Sequence, residues 1–79
     1  MRFIVEHTDT FGGEANYGWA HRYTIEADEN ISDLALVRRA KKLCGLSGQR
    51  SATEKWGEDI VIKPTNICHI IFVMPIEEG

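Results

Sequence analysis

Five side chains are of the types that ligate metals: His7, His21, His69, Cys44 and Cys68. Two ligands on one ion usually come from a close pair such as C-x-x-C or H-x-x-x-H, because those spacings aim both donors the same way. None of the five is paired in that manner. Cys68 and His69 are neighbours, but on a strand adjacent side chains point to opposite faces. The expectation is no metal site and no cofactor, with the histidines scattered as structural or surface residues.

Nucleophilic chemistry finds no better footing. Cys44 and Cys68 both sit among apolar neighbours, so both are expected to be buried, reduced and inert, since burial raises a thiol's pKa. There is no G-x-S-x-G, and a Ser-His-Asp set can be drawn from almost any chain. The segment Phe11-Gly12-Gly13-Glu14 has the glycines of a phosphate loop but no following Lys-Ser/Thr, and an acid stands where phosphate would need neutral or positive groups. No catalytic residue is assigned, and the chain is read as not an enzyme.

Two groups remain that could bind a macromolecule. One is the basic stripe Arg38, Arg39, Lys41 and Lys42, extended by Arg50, which could neutralise phosphates. Basic residues also belong in the last turns of a helix, where they oppose its dipole. The other group lies between Asp9 and Trp19. This segment is read as a connection longer than a hairpin needs, and it carries aromatic residues of the kind that dominate interface energetics. Phe11 and Tyr17 are the expected anchors and Glu14 the charged contact, with Gly12-Gly13 allowing close backbone approach.

The elements that must position these residues follow from patterning. Phe3 to His7 reads as a strand and Thr8 to Asn16 as a loop of turn formers. Tyr17, Trp19, His21, Tyr23, Ile25 and Ala27 alternate with smaller or polar residues, the period of a half-buried strand. A helix is expected from Ser32 to Cys44. Ser32 is its N-cap, Ile31 and Leu36 form a hydrophobic staple, and Gly45 supplies the left-handed C′ residue. Its buried arc holds Leu36, Val37, Ala40, Leu43 and Cys44. Arg50 to Trp56 is a weak strand, Asp59 to Lys63 a second, and Ile67 to Met74 a central one ended by Pro75. The acidic tail Glu77-Glu78-Gly79 is expected to fray. The fold class is α+β, in the order β-β-α-β-β-β, with one mostly antiparallel sheet of about five strands and one helix packed on one face.

Composition agrees with one small domain over residues 1–79. Apolar residues make up 43% and charged residues 27%, which excludes a disordered or collagenous chain. The net charge of −3 gives no general attraction for nucleic acid. The apolar run Phe3-Ile4-Val5 stops at Glu6, too short for a signal-peptide core, so a cytoplasmic location without membrane association is expected. A chain this size hides only ~60% of its unfolded surface, which leaves little core on which to build pocket, catalytic groups and their supports together.

The string Asp9-Thr10-Phe11-Gly12-Gly13-Glu14-Ala15-Asn16-Tyr17, then Trp19, Ala40, Gly45-Leu46-Ser47-Gly48, Arg50 and Trp56-Gly57, resembles a group of short phage and prophage open reading frames over most of the chain. The resemblance implies a mobile-element origin rather than an activity. Small acidic prophage proteins of this kind include the anti-CRISPR proteins, which dock stoichiometrically on a CRISPR effector complex. On that basis the expected function is a non-enzymatic inhibitor, monomer or weak dimer, that binds a host protein complex. The specific form is a type I CRISPR surveillance complex whose target DNA recognition or nuclease recruitment is blocked. The alternative is a small nucleic-acid-binding accessory protein using the basic face of its helix.

Overall fold

A computed structural model describes residues 1–11 and 14–76. The Gly12-Gly13 pair and the tail Glu77-Glu78-Gly79 lie outside the described residues. Strands β1 (Arg2–Phe11) and β2 (Glu14–Glu26) are followed by helix α1 (Asp33–Leu43) and by β3 (Ser51–Trp56), β4 (Asp59–Pro64) and β5 (His69–Ile76). The five strands form one antiparallel sheet in the order β2-β1-β5-β4-β3. The expected α+β arrangement is what the chain adopts.

The order explains the helix. The chain leaves one edge of the sheet at the end of β2 and re-enters at the opposite edge as β3. Four strand spacings of ~4.8 Å separate those edges, and the helix, rising ~1.5 Å per residue, carries the chain most of that way. Its ends are fixed as the sequence leads one to expect. Ser32 Oγ accepts the Ala35 amide at 3.1 Å. At the other end Gly45, with φ +72°, donates to the Lys42 carbonyl, and Leu46 donates to that of Lys41, the paired bonds of a Schellman motif.

Residues directly opposite in register share a face. The helix-covered face carries Phe3, Val5, Ile25, Ile60, Ile62, Ile71 and Val73, which pack with Leu36, Val37 and Ala40 into the core. Cys44 is half-buried against that core, whereas Leu43, expected inside, is exposed. On the other face Ile4, Phe72 and Met74 are half-buried over buried Val61 and Ile70. Ion pairs border that stripe: Arg2–Glu26 and Arg22–Glu6 at 2.8 Å, and Lys63–Glu54 at 3.3 Å.

Three expectations are corrected. The segment Thr8 to Asn16 is not a wide loop: β1 continues to Phe11 and β2 begins at Glu14. Pro75 does not end β5. It pairs with Phe3, beyond the last β4–β5 pair at Ile60–Val73, where its missing N–H disturbs no ladder bond to β4. Cys68 is exposed rather than buried, because β5 starts one residue after it. Among the described residues no helix is long and apolar enough to cross a membrane.

Candidate functional site

The far end of the β1–β2 hairpin is shaped by one carboxylate. Between the pairs Thr10–Ala15 and Thr8–Ala20, β1 contributes Asp9 alone while β2 contributes Asn16 to Trp19. The surplus residues form a bulge, and Asp9 binds two of their amides and one of their side chains. Its Oδ1 accepts the Gly18 amide at 2.7 Å and more weakly the Trp19 amide at 3.5 Å, while its Oδ2 accepts from Asn16 Nδ2 at 2.9 Å. Thr8 Oγ1 adds a 2.6 Å donation to the Trp19 carbonyl. The Asn16 bond, with smaller help from the amides, holds the Asp9 carboxyl below the usual range, against the opposing effect of desolvation. Tyr17 sits at the apex of the bulge with φ +55°, an uncommon conformation for an aromatic residue.

The three expected contact residues are disposed around this end. Phe11 and Glu14 face each other as the last described cross-strand pair of the hairpin, and Phe11 is 80% exposed. It does not fold back over the sheet edge. Tyr17 is also exposed, but its hydroxyl lies against the Glu6 carboxylate, which raises its pKa. Glu6 belongs to the face not covered by the helix, so Tyr17 turns to the opposite side of the hairpin from Phe11 and Glu14. The structure brings two of the three together and separates the third.

The basic residues lie on the outer side of α1, but two are held by the fold itself. Arg39 donates to the Glu26 carbonyl at 3.1 Å, and Lys41 donates to the Gln49 carbonyl, tying the helix to β2 and to the segment leading into β3. Arg38 and Lys42 remain exposed and, with Lys41, Ser47 and Gly48, line a shallow cleft of about 340 Å³. Arg50 is exposed as well.

One constellation was hidden from sequence spacing. His7, His21, His69 and Trp19 come together on three adjacent strands. His7 is opposite His21 in register, and His69 is opposite Asp9 on the next strand. His7 Nε2 and His69 Nδ1 are 3.0 Å apart. Trp19 stands edge-on to both rings, its centroid 4.8 Å from His7 and 5.0 Å from His69. The histidines are thus clustered, contrary to the expectation of scattered side chains. His7 is only 6% exposed, and burial, then the neighbouring His69 and His21, lowers its pKa. A hydrogen bond between two imidazoles needs one donor and one acceptor, so at least one ring is neutral. Strand parity alone could have exposed the cluster, had the hairpin register been known. The bulge conceals that register.

The chain matches no family model, no curated protein and no solved structure.

Proposed function

We propose that this chain is a non-enzymatic binding protein that docks on a protein partner with the end of its β1–β2 hairpin. The observation that carries the reading is Phe11, an aromatic side chain 80% exposed at the last described cross-strand pair of a hairpin whose bulge is fixed by Asp9. A single exposed aromatic on a loose tail would mean little. One held on a rigid support loses little freedom on binding, and that is the usual property of an interface anchor. Glu14, directly opposite, gives the tip its charge.

The sharper form of the proposal is a phage-type inhibitor acting in the host cytoplasm on a type I CRISPR surveillance complex, as a monomer or weak dimer. It rests on the resemblance of the Asp9–Tyr17 string to phage reading frames. Two of the basic helix residues, Arg39 and Lys41, are engaged by backbone carbonyls of the chain itself, which favours a protein partner over nucleic acid.

The test is affinity capture of the tagged chain from a host lysate, followed by binding and phage-protection assays with Phe11→Ala and Glu14→Arg. Selective loss of partner binding at unchanged melting temperature supports the reading. Full activity in both variants removes the hairpin end from consideration. Submicromolar affinity of the isolated protein for duplex DNA at ~150 mM salt, abolished by charge reversal of Arg38, Arg39, Lys41 and Lys42, would replace it with the nucleic-acid reading.

A further inference from the structure

We propose that His7 and His69 form a two-nitrogen chelate for a borderline divalent ion such as Zn²⁺, Ni²⁺ or Cu²⁺, with His21 swinging in as the third nitrogen ligand. The site lies on the sheet beside the hairpin bulge and is independent of the docking tip at Phe11.

Geometry is the main argument. A tetrahedral ion with Zn–N bonds of ~2.0–2.1 Å holds two ligand nitrogens ~3.3 Å apart. His7 Nε2 and His69 Nδ1 already stand 3.0 Å apart. Turning that hydrogen bond into a chelate takes a few tenths of an ångström of separation and a rotation of both rings, so that their lone pairs converge on the ion instead of facing each other. Among the described residues no three side chains of His, Cys, Asp or Glu already converge on one point. The third ligand must therefore move. His21 is placed for this: it faces His7 across the β1–β2 ladder, with ring centroids 6.4 Å apart, and it is exposed enough to turn. The nearest carboxylate in register, Asp9, is committed to Asn16 and Gly18 and stays out of the set.

The proton inventory is simple. The ring that now donates across the 3.0 Å contact must move its proton to its other nitrogen, through solvent. Both rings then offer a lone pair, and no net charge is lost from a neutral pair. An all-imidazole set suits zinc, copper and nickel and disfavours magnesium or calcium, which seek oxygen. Trp19, edge-on to both rings, walls one side and supplies a reporter. The ligands come from β2, β1 and β5, so a bound ion would cross-link three neighbouring strands, two of them 62 residues apart at the His7–His69 contact.

The experiment uses the full chain with any histidine tag removed. ZnCl₂ and NiCl₂ are titrated calorimetrically near pH 7.5, and imidazole nitrogen resonances are followed by NMR on the wild-type protein. One ion per chain is expected, with the largest shifts at His7 Nε2 and His69 Nδ1. His69→Gln should weaken binding by about tenfold or more, the least expected for a direct ligand when loss of a mere supporting group costs that much. His21→Gln should weaken it too. In a Trp56→Phe background, which leaves Trp19 as the lone indole, Ni²⁺ should quench fluorescence with the same midpoint. Absence of imidazole shifts up to ~1 mM Zn²⁺, a bound worth only about 4 kcal/mol, overturns the proposal. So does binding that survives His69→Gln, or that is lost in Cys68→Ser instead.

Discussion

Asp9 and Gly18 lie so close that a side chain at residue 18 would press on the Asp9 carboxylate. The Gly18 amide donates to Asp9 Oδ1 at 2.7 Å, and a Cβ added at residue 18 would lie 2.9 Å from Oδ2 of the same carboxylate. Oδ2 cannot easily swing away, because Asn16 holds it at 2.9 Å. Gly18→Ala should therefore shift the bulge and lower stability by about 1 kcal/mol, the ordinary scale for a point substitution. Chemical denaturation measures the loss. Amide chemical-shift changes should concentrate on residues 8–20. Unchanged shifts there would mean that the bulge does not depend on this contact.

Acid should loosen the same structure. The Asp9 pKa is lowered in the folded chain, chiefly by Asn16, so between its folded and unfolded values the unfolded state binds more protons. The stabilisation is present above the unfolded value, ~3.9, and is lost as pH falls through the folded one. Asp9→Asn should flatten the stability–pH curve in that window, measured by denaturant midpoints.

His7 acts in the same direction at milder pH. Its pKa too is lowered on folding, by burial first. As pH falls below its unfolded value near ~6.5, the unfolded chain takes up a proton that the folded chain refuses. Stability should fall with acidification from there until His7 titrates in the folded state. His7→Gln should remove this slope while leaving the lower Asp9 transition intact.

Phe11→Ala should leave stability within about 0.5 kcal/mol, because so exposed a side chain contributes little to the core. If Phe11 anchors a partner, binding should weaken by about 2 kcal/mol or more. Equal losses of melting temperature and binding would instead indicate a structural role.

The two thiols should react unequally. Burial pushes the Cys44 thiol up to about 11, whereas Cys68 is exposed at the entrance to β5. A maleimide pulse on the native protein should add one label, mapped to Cys68, and a second only after unfolding. Rapid native labelling of Cys44 would contradict its placement against the core.

Much of the fold was legible because its signals are local. Ser32, Gly45 and the apolar arc of α1 each state their role within one or two turns. The near-continuous apolar run at Ile70 to Met74 announces a strand flanked on both sides. The hairpin was not legible. Asp9, Asn16 and Gly18 are turn formers by type, and here they serve a bulge between two paired stretches, Asp9 and Asn16 through their side chains and Gly18 through its amide. The histidine cluster depends on two registers at once, β1 with β5 and β1 with β2, and the second cannot be counted from the turn without knowing where the bulge falls. Cys68 was misplaced because the apolar run after it belongs to β5, while the residue itself stops one position short. The exposure of Phe11 was foreseen from the tip's composition, whereas the turning of Tyr17 toward Glu6 depends on the bulge geometry.

The sheet order also fixes when the protein can exist. β5 lies between β1 and β4, and without it the β1–β2 and β3–β4 hairpins share no strand-to-strand bond in the sheet. During synthesis β5 emerges after the other four. Until it does, the nascent chain holds two separate ribbons with unpaired inner edges, and the core lacks Ile71 and Val73. Folding is therefore a late, single closure across most of the chain's length, slow relative to local pairing. In the interval before closure, those inner edges are where this protein is most open to aggregation or to a chaperone.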